Sequence, residues 1–334
     1  MAQGRFRRKT RGRRGRLVLI AAALLALGYG VHFLWGWYGP GPLAHDAPFI
    51  VTEGAGMVSV AQELEALGAV ASASTFRARA RLLGHRGGLK AGEFVIPAHA
   101  SGAQVLAIVQ GTAGVVRRLF TVPEGMPSAL VYEKLLAQPM LTGKVVSPPE
   151  GTVLPDSYDY QRGEARAVVV AQMQRAMATI LAELWTKRSP RTVAKTPQEA
   201  VILASIVEKE TGKSAERSMV AGLYSNRLRQ GMKLQADPTI IYPITQGRPL
   251  GRRIRESEIR AVNDFNTYAM VGLPKAPITN PGRASIAAVL NPADTHALYM
   301  VADGTGGHAF ADTLAAHNAN VAKWFAIRRA RGEM

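Results

Sequence analysis

A long apolar stretch directly after a basic N-terminus limits what this chain can fold into. Residues 17–38, LVLIAAALLALGYGVHFLWGWY, contain no Asp, Glu, Lys or Arg. A helix of about 20 apolar residues matches the thickness of the hydrocarbon core of a bilayer. Trp35, Trp37 and Tyr38 lie at the far end of the stretch, where aromatic side chains favour the membrane interface. The stretch therefore predicts a transmembrane helix.

The basic residues before this stretch predict its orientation. The first sixteen residues carry eight Lys or Arg side chains and no acid, in a chain whose net charge is +17. Positive charge on the near side of a membrane helix places the N-terminus in the cytoplasm and the rest of the chain outside. Because the position of the block already explains its charge, we expect no nucleic-acid partner.

A cleaved signal peptide is the competing interpretation, since GPLAHDA (41–47) supplies small residues after the apolar run. The run is longer than the usual apolar region of about 7–15 residues, however, and its aromatic end is a poor cleavage context. We therefore expect an uncleaved anchor in the cytoplasmic (inner) membrane, with the working part on the outside.

The absence of certain residues and motifs narrows the chemistry. None of the 334 residues is cysteine, which excludes disulfides, thiolate zinc sites and thiol nucleophiles. HExxH, GxxxxGK[ST] and GxSxG motifs are absent, and the seven histidines have no metal-ligand spacing. We therefore expect no metal and no cofactor.

Composition and periodicity predict two domains outside the membrane. FIVT (49–52) and GEFVIP (92–97) read as strands, and two short amphipathic helices lie between them, which predicts a small α+β unit. The predicted organisation is a basic cytoplasmic segment, a transmembrane helix, a Pro/Gly-rich linker, a small domain and a larger catalytic domain: 1–16, 17–38, 39–48, 49–112 and 113–334.

The larger domain contains the longest helical patterns. Apolar residues recur at helical spacing over 165–185, and Thr196-Pro197-Gln198-Glu199 predicts a capping box with proline at the first helical position. We expect the helix that follows to end at Gly212, with Ser214 capping the next one. Residues 232–243, 263–282 and 297–312 read as short strands and loops, and 313–329 as a last amphipathic helix. The predicted class is α+β with a helical centre.

Two glutamates end the apolar helix 203–210, LASIVEKE. Because residues i and i+2 of a helix are about 200° apart, Glu208 and Glu210 cannot form a close carboxylate pair. Glu210 follows Leu203, Ile206 and Val207 on the more apolar face. Desolvation there would raise its pKa, which suits a general acid. Periodicity alone leaves a solvated helix end open for both.

Polar side chains also stand within otherwise apolar loops of this domain. Side-chain amides and aromatic rings are typical of saccharide clefts, although each of these residues alone is more often a turn device. The candidates for substrate binding are Asn226, Arg227, Gln235, Asp237, Asn266 and Tyr268, with His308 in the same kind of loop.

Several stretches resemble the endolytic murein transglycosylase family, also described as YceG-like or MltG-type. They are VPEG (122–125), EGTVLPDSY (150–158), ASIVEKET (204–211), SNRLRQGMKLQADPTIIY (225–242), FNTYAMVGLPKAPITNPG (265–282) and VADGTGGHAFADTLAAHN (301–318). The resemblance implies that Glu210 is catalytic, that 49–112 is LysM-like, and that the chain acts on peptidoglycan glycan strands at the cytoplasmic membrane. Peptidoglycan synthases are a further implied partner. Thr152 and Val153 depart from the family's usual bulky residues.

The resemblance also implies a mechanism that needs one acid. Such an enzyme cleaves the bond between N-acetylmuramic acid and N-acetylglucosamine without water, leaves a 1,6-anhydro end and terminates nascent strands. Two alternatives stay open: a glycan hydrolase in which Asp237 is the base, and a non-catalytic glycan-binding scaffold of the cell-wall machinery.

Overall fold

The apolar stretch forms one continuous helix, α1 (Lys9–Tyr38), in a computed structural model that describes residues 9–84, 87–111 and 116–333. Within its segment Gly15–Tyr38, the most apolar 18 residues have a mean hydropathy of 2.2, and none of these 18 is buried by the rest of the protein. Arg166–Thr186 is also long and apolar enough to cross a membrane, but it supplies buried core residues. The predicted apolar helix is confirmed; residues 1–8 of the predicted basic segment lie outside the described residues.

The chain divides into two units. The first reaches Arg117 and includes residues 161–163; the second comprises Arg118–Tyr160 and the chain from Glu164 onward. After α1, the elements of the first unit are β1 (Ala47–Val51), α2 (Met57–Ala66), α3 (Ala73–Leu83), β2 (Gly92–Ile96) and α4 (Gly102–Val109). Strands β1 and β2 pair antiparallel, with Phe49 opposite Phe94. Both predicted strands are thus present.

The end of α1 is part of the core of the first unit. Trp37 is only 2% exposed, and its ring lies 5.8 Å from the ring of Phe76. Arg79 Nη1 donates to the Gly36 carbonyl at 2.8 Å. Trp35, on the opposite side of α1, is 69% exposed. The expectation that Trp37 lies at the membrane interface is therefore wrong, because its helix face points into the folded unit.

The segment predicted as a linker is held against the first unit by hydrogen bonds. Gly41 N–H donates to the His99 carbonyl at 3.0 Å, and His99 N–H donates to the Leu43 carbonyl at 2.8 Å. Ala98 N–H donates to Asp46 Oδ1 at 2.8 Å. These bonds fix the path of the chain from α1 to β1.

The second unit is mainly helical, and four short strands within it form two antiparallel pairs. Its elements are β3 (Arg118–Thr121), α5 (Ser128–Leu136), β4 (Ser157–Tyr160), α6 (Arg166–Thr186), α7 (Pro197–Glu210), α8 (Arg217–Arg229), α9 (Pro238–Thr245), α10 (Glu256–Arg260), α11 (Arg283–Leu290), β5 (Tyr299–Ala302), β6 (His308–Ala311) and α12 (Leu314–Ala330). β3 pairs with β4, and β5 with β6. The predicted α+β class with a helical centre is confirmed.

Helix α7 is the centre of this unit, since all eight residues 200–207 are buried. The Thr196 side chain accepts from Glu199 N–H at 3.1 Å, and Pro197 stands in the first turn, as predicted. The Glu199 carboxylate, however, accepts from Lys195 N–H and not from Thr196. The helix ends at Glu210, before Gly212, because Thr211 adopts an extended conformation.

Two local predictions were wrong. Residues 232–243 contain the start of α9, where strands and loops were expected. Asp237 is followed by Pro238 at the first helical position. Proline is favourable there because the backbone N–H that it lacks would have no acceptor within the helix. Ser214 begins a short 3₁₀ turn, Ser214–Glu216, and α8 starts only at Arg217.

Trp37→Ala is expected to lower the free energy of unfolding of the first unit by about 3–5 kcal/mol, because it removes a buried indole. The change can be measured by denaturing the detergent-solubilised full chain and using the susceptibility of the first unit to proteolysis as the signal for its unfolding. Trp35→Ala removes the same side chain from an exposed position and is expected to cost less than about 0.5 kcal/mol. Equal effects of the two changes would show that Trp37 is not a core residue.

Candidate active site

The Glu210 side chain at the end of α7 opens onto a small cavity of about 240 Å³. Polar groups from α8, from the loop before α9, from the loop before α11 and from the β5–β6 hairpin line it. They are Glu210, Tyr224, Arg227, Gln235, Asp237, Tyr268 and His308. The fold therefore brings Glu210 together with four of the six predicted substrate-binding residues.

The carboxyl group of Glu210 is desolvated. Its Oε1 is buried and has no hydrogen-bond partner among the described residues. Leu203, Ile206 and Val207, which precede it on α7, are 0% exposed. Burial raises the pKa of Glu210 from 4.5 to about 7. This carboxyl is therefore protonated in a large fraction of molecules near neutral pH.

Three neighbours modify this pKa. A hydrogen bond from the Tyr224 hydroxyl lowers the pKa of Glu210, the charge of Asp237 raises it, and the charge of Arg227 lowers it. Tyr224 is itself buried, and burial raises the pKa of its phenol, so it stays a donor. Because these effects partly cancel, desolvation sets the direction of the shift.

Arg227 is held rigidly at the cavity wall. It is 8% exposed; its Nε donates to the Leu298 carbonyl at 2.6 Å, and its Nη1 donates to the Leu234 carbonyl at 2.8 Å. The guanidinium lies 5.5 Å from the centre of the Tyr299 ring. The side chain thus presents a fixed positive charge to the cavity.

Asp237 and Tyr268 form a hydrogen-bonded pair that also lines the cavity. The Tyr268 hydroxyl donates to Asp237 Oδ1 at 2.6 Å. Gln235 precedes them with a φ of 52°, in the left-handed region, and its Oε1 accepts from Arg227 at 3.4 Å. Its backbone N–H donates to the Thr267 carbonyl. This strained turn fixes both the amide and the carboxylate at the rim.

Asn226 and Asn266 use their amide groups inside the protein. Asn226 donates to the carbonyls of Thr295 and Ala297. Asn266 is fully buried, donates to three carbonyls in 258–261 and accepts from Tyr268 N–H at 2.9 Å. Their contacts do not support direct substrate binding, which stays a prediction. Asn266 positions Tyr268 instead.

Glu208 lies on the other side of α7 and forms an ion pair. Its side chain is 4% exposed; Oε2 accepts from Gly282 N–H at 2.9 Å, and Oε1 lies 3.4 Å from Arg217 Nη2. The same guanidinium contacts Glu124 at 2.8 Å. Glu208 is therefore a paired carboxylate that connects α7 to α8 and to the chain before α11.

His308 and Glu216 form a second pair beside the cavity. His308 contacts Glu216 through its ring, a pair that no local sequence pattern signals because the two residues are far apart in the chain.

Burial raises the pKa of Glu150, but its Oε1 accepts from Ser128 N–H at 2.9 Å and it does not line the cavity. Glu150 therefore supports the fold beside α5.

A larger depression of about 790 Å³ lies near the start of α7, where Glu199 is its one acidic lining residue. The Glu199 carboxylate caps the chain at Lys195, so we assign the chemistry to the smaller cavity. Within the described ranges, no group of three or more His, Asp or Glu could hold a metal ion.

Known proteins share this fold and sequence. The model of the YceG-like family matches residues 49–323. A protein of Bacillus subtilis (strain 168) named endolytic murein transglycosylase is 30% identical over 176 residues, 51% of this chain and 46% of that protein. A protein of the same name from Streptococcus pneumoniae (D39) is 31% identical over 180 residues, 52% of this chain and 32% of that one. The matches thus span less than half the length of these relatives.

A crystal structure of a putative YceG-like protein from Listeria monocytogenes has the same fold. It superposes with a TM-score of 0.52 and 22% identity, over 82% of this chain and 98% of the other. The family model covers most of the chain, including parts of both units and every lining residue of the cavity. On that evidence the chain belongs to the YceG-like family.

Proposed function

We propose that this protein is an endolytic murein transglycosylase in which Glu210 acts first as the acid and then as the base. The observation that carries the proposal is the desolvated carboxyl of Glu210, with its pKa of about 7, inside a polar cavity. Relatives named endolytic murein transglycosylase support it. An acid whose pKa lies near the working pH can both give and take a proton.

The reaction would proceed in two proton transfers at one carboxyl group. Protonated Glu210 donates to the glycosidic oxygen between N-acetylmuramic acid and N-acetylglucosamine, and the C1–O bond breaks. The resulting carboxylate takes the proton of the muramoyl C6 hydroxyl while O6 bonds to C1. The product is a 1,6-anhydro end, no water enters, and Glu210 regains its proton. The nucleophile belongs to the substrate, so a second carboxylate is unnecessary.

The other charges of the cavity suit this cycle. Arg227 offers a fixed cation that limits how far the Glu210 pKa rises, and Asp237 opposes it. Asp237 is the carboxylate that a hydrolase would need as a base, but its Oδ1 already accepts from Tyr268. That hydrogen bond occupies one of the two carboxylate oxygens, which favours the transglycosylase over the hydrolase.

We also propose that α1 is an uncleaved anchor in the cytoplasmic membrane, with both units outside. A signal peptidase acting within 41–48 would remove Trp37, a core residue of the first unit, together with the Gly36 carbonyl that Arg79 contacts.

The strand–helix–helix–strand order of the first unit supports a LysM-like role in glycan binding. Cleavage at the membrane surface would terminate nascent glycan strands beside the synthases that make them.

Digestion of purified peptidoglycan by the detergent-solubilised full chain is expected to give internal cleavage products with 1,6-anhydro ends. Mass spectrometry identifies them, because each is lighter by one water than the product of hydrolysis. Glu210→Gln is the control and is expected to reduce the rate at least about a hundredfold. Products that carry reducing ends would identify a hydrolase, and no cleavage by the parent would favour a scaffold.

Glu210→Gln is also expected to gain stability relative to the parent as pH rises. The folded pKa of about 7 exceeds the ordinary 4.5, so the stability that the protonated acid contributes is full below pH 4.5. It is lost as pH rises to about 7, by at most about 3 kcal/mol. Denaturation midpoints of both proteins from pH 5 to 8 measure this difference. A parent that gains on the variant over this range would indicate a stabilised anion.

Glu208→Gln is expected to act on stability and not on chemistry. The amide can still accept from Gly282, but Arg217 loses a charged partner, which costs about 1–3 kcal/mol of unfolding free energy. The cleavage rate per folded molecule should stay within about tenfold of the parent. Rates can be compared with Glu210→Gln at a temperature where both variants are folded. Equal loss of activity at the two positions would refute the assignment of the acid.

A further inference from the structure

We propose that His308 contacts the substrate, and that its Nε2 accepts a hydrogen bond from an N-acetylated sugar beside the bond that Glu210 cleaves. The inference rests on the proposed function, since it assigns a ligand group to the same cavity. The donor on the sugar is a hydroxyl or the acetamido N–H.

Glu216 fixes the orientation of the His308 ring. Its Oε2 lies 2.8 Å from Nδ1 of His308, and its Oε1 accepts from the backbone N–H of the same residue at 3.1 Å. The Thr211 hydroxyl donates to Oε2 at 3.2 Å. A carboxylate that receives three hydrogen bonds can neither rotate nor tilt without losing one of them. Glu216 therefore holds His308 at two points, the ring Nδ1 and the backbone N–H.

The charge state of Glu216 decides which ring nitrogen carries the proton. Burial raises the pKa of Glu216, but the hydrogen bonds from His308 and Thr211 outweigh it, and the net shift is downward. An ionised carboxylate only accepts hydrogen bonds, so Nδ1 of His308 must be the donor. In the neutral imidazole, Nε2 then carries a lone pair and no hydrogen.

This lone pair belongs to a ring that lines the cavity of Glu210. Nδ1 is turned to Glu216, and Nε2, at the other side of the ring, has no hydrogen-bond partner among the described residues. Two nearby side chains direct donors elsewhere: the Tyr268 hydroxyl donates to Asp237, and Nε and Nη1 of Arg227 donate to backbone carbonyls. A bound sugar brings hydroxyl and amide hydrogens that the acceptor lacks.

The same contacts link the histidine to the catalytic acid. Thr211, which donates to Glu216, directly follows Glu210 and ends α7. Glu216 in turn holds β6 through the backbone and ring of His308. The Glu216 carboxylate thus fixes the position of His308 Nε2 relative to the Glu210 carboxyl group. A residue that positions substrate for that acid must have such a fixed position.

Binding of murein glycan oligomers tests this without cleavage. In a Glu210→Gln background, the dissociation constant is measured by calorimetry for the parent ring and for His308→Ala. Loss of one neutral hydrogen bond predicts an affinity about fivefold to tenfold weaker. His308→Phe keeps an aromatic ring at this position, somewhat larger than imidazole, and removes the nitrogens. It should therefore weaken binding to the same extent, and it tests the inference even if the alanine variant folds poorly. Unchanged affinity in His308→Phe would overturn the inference.

Two further variants separate this role from a structural one. Glu216→Ala removes the carboxylate that orients the ring, and we expect it to weaken binding although His308 is intact. His317→Ala removes another partly buried histidine, one that stacks on Tyr299 at 5.2 Å outside the cavity, and should leave the affinity unchanged. Equal effects of the His308 and His317 changes would contradict the proposal. If Glu210→Gln alone fails to bind murein glycan, the proposed function fails, whereas unchanged affinity in His308→Phe refutes only the histidine contact.

Discussion

The burial of α7 is the constraint on which the site depends. Because every position from 200 to 207 is enclosed by the second unit, the helix cannot shift or rotate to bring its last residue to solvent. Glu210 is therefore held where its carboxyl loses hydration, and its pKa rises to about 7. Glu208, two residues earlier, points the other way and meets Arg217. One helix thus gives two neighbouring glutamates opposite environments.

The upward shift of the Glu210 pKa could be predicted from the sequence because that prediction depends on local periodicity. The apolar neighbours that desolvate it lie on the same helix, at three, four and seven residues' distance. The pair of Glu216 and His308 could not be predicted, since their contact crosses 92 residues and depends on the placement of the β5–β6 hairpin. The role of the Tyr224 hydroxyl could not be predicted either, because Tyr224 lies among the apolar residues of α8 that form its buried face.

The errors of prediction have physical causes as well. Asn266 was expected to contact substrate because amides suit sugars; its complete burial and its hydrogen bonds to backbone carbonyls do not support that contact, which stays a prediction. Helix α9 contains three isoleucines and an internal proline, which favour strands or loops locally. The proline at its first turn and contacts with α7 made it a helix. Trp37 was expected at the membrane interface because it is an aromatic residue at the far end of the apolar stretch, whereas its helix face packs into the first unit.

The central claim is that Glu210 holds a proton near neutral pH, and a direct titration of its carboxyl group tests it. The full chain, labelled with ¹³C at the glutamate side-chain carboxyl, can be titrated by NMR, with the Glu210 signal assigned from its absence in Glu210→Gln. The account predicts that this signal titrates at a pH of about 7. A titration near the ordinary 4.5 would show a solvated or paired anion and would contradict the general-acid role.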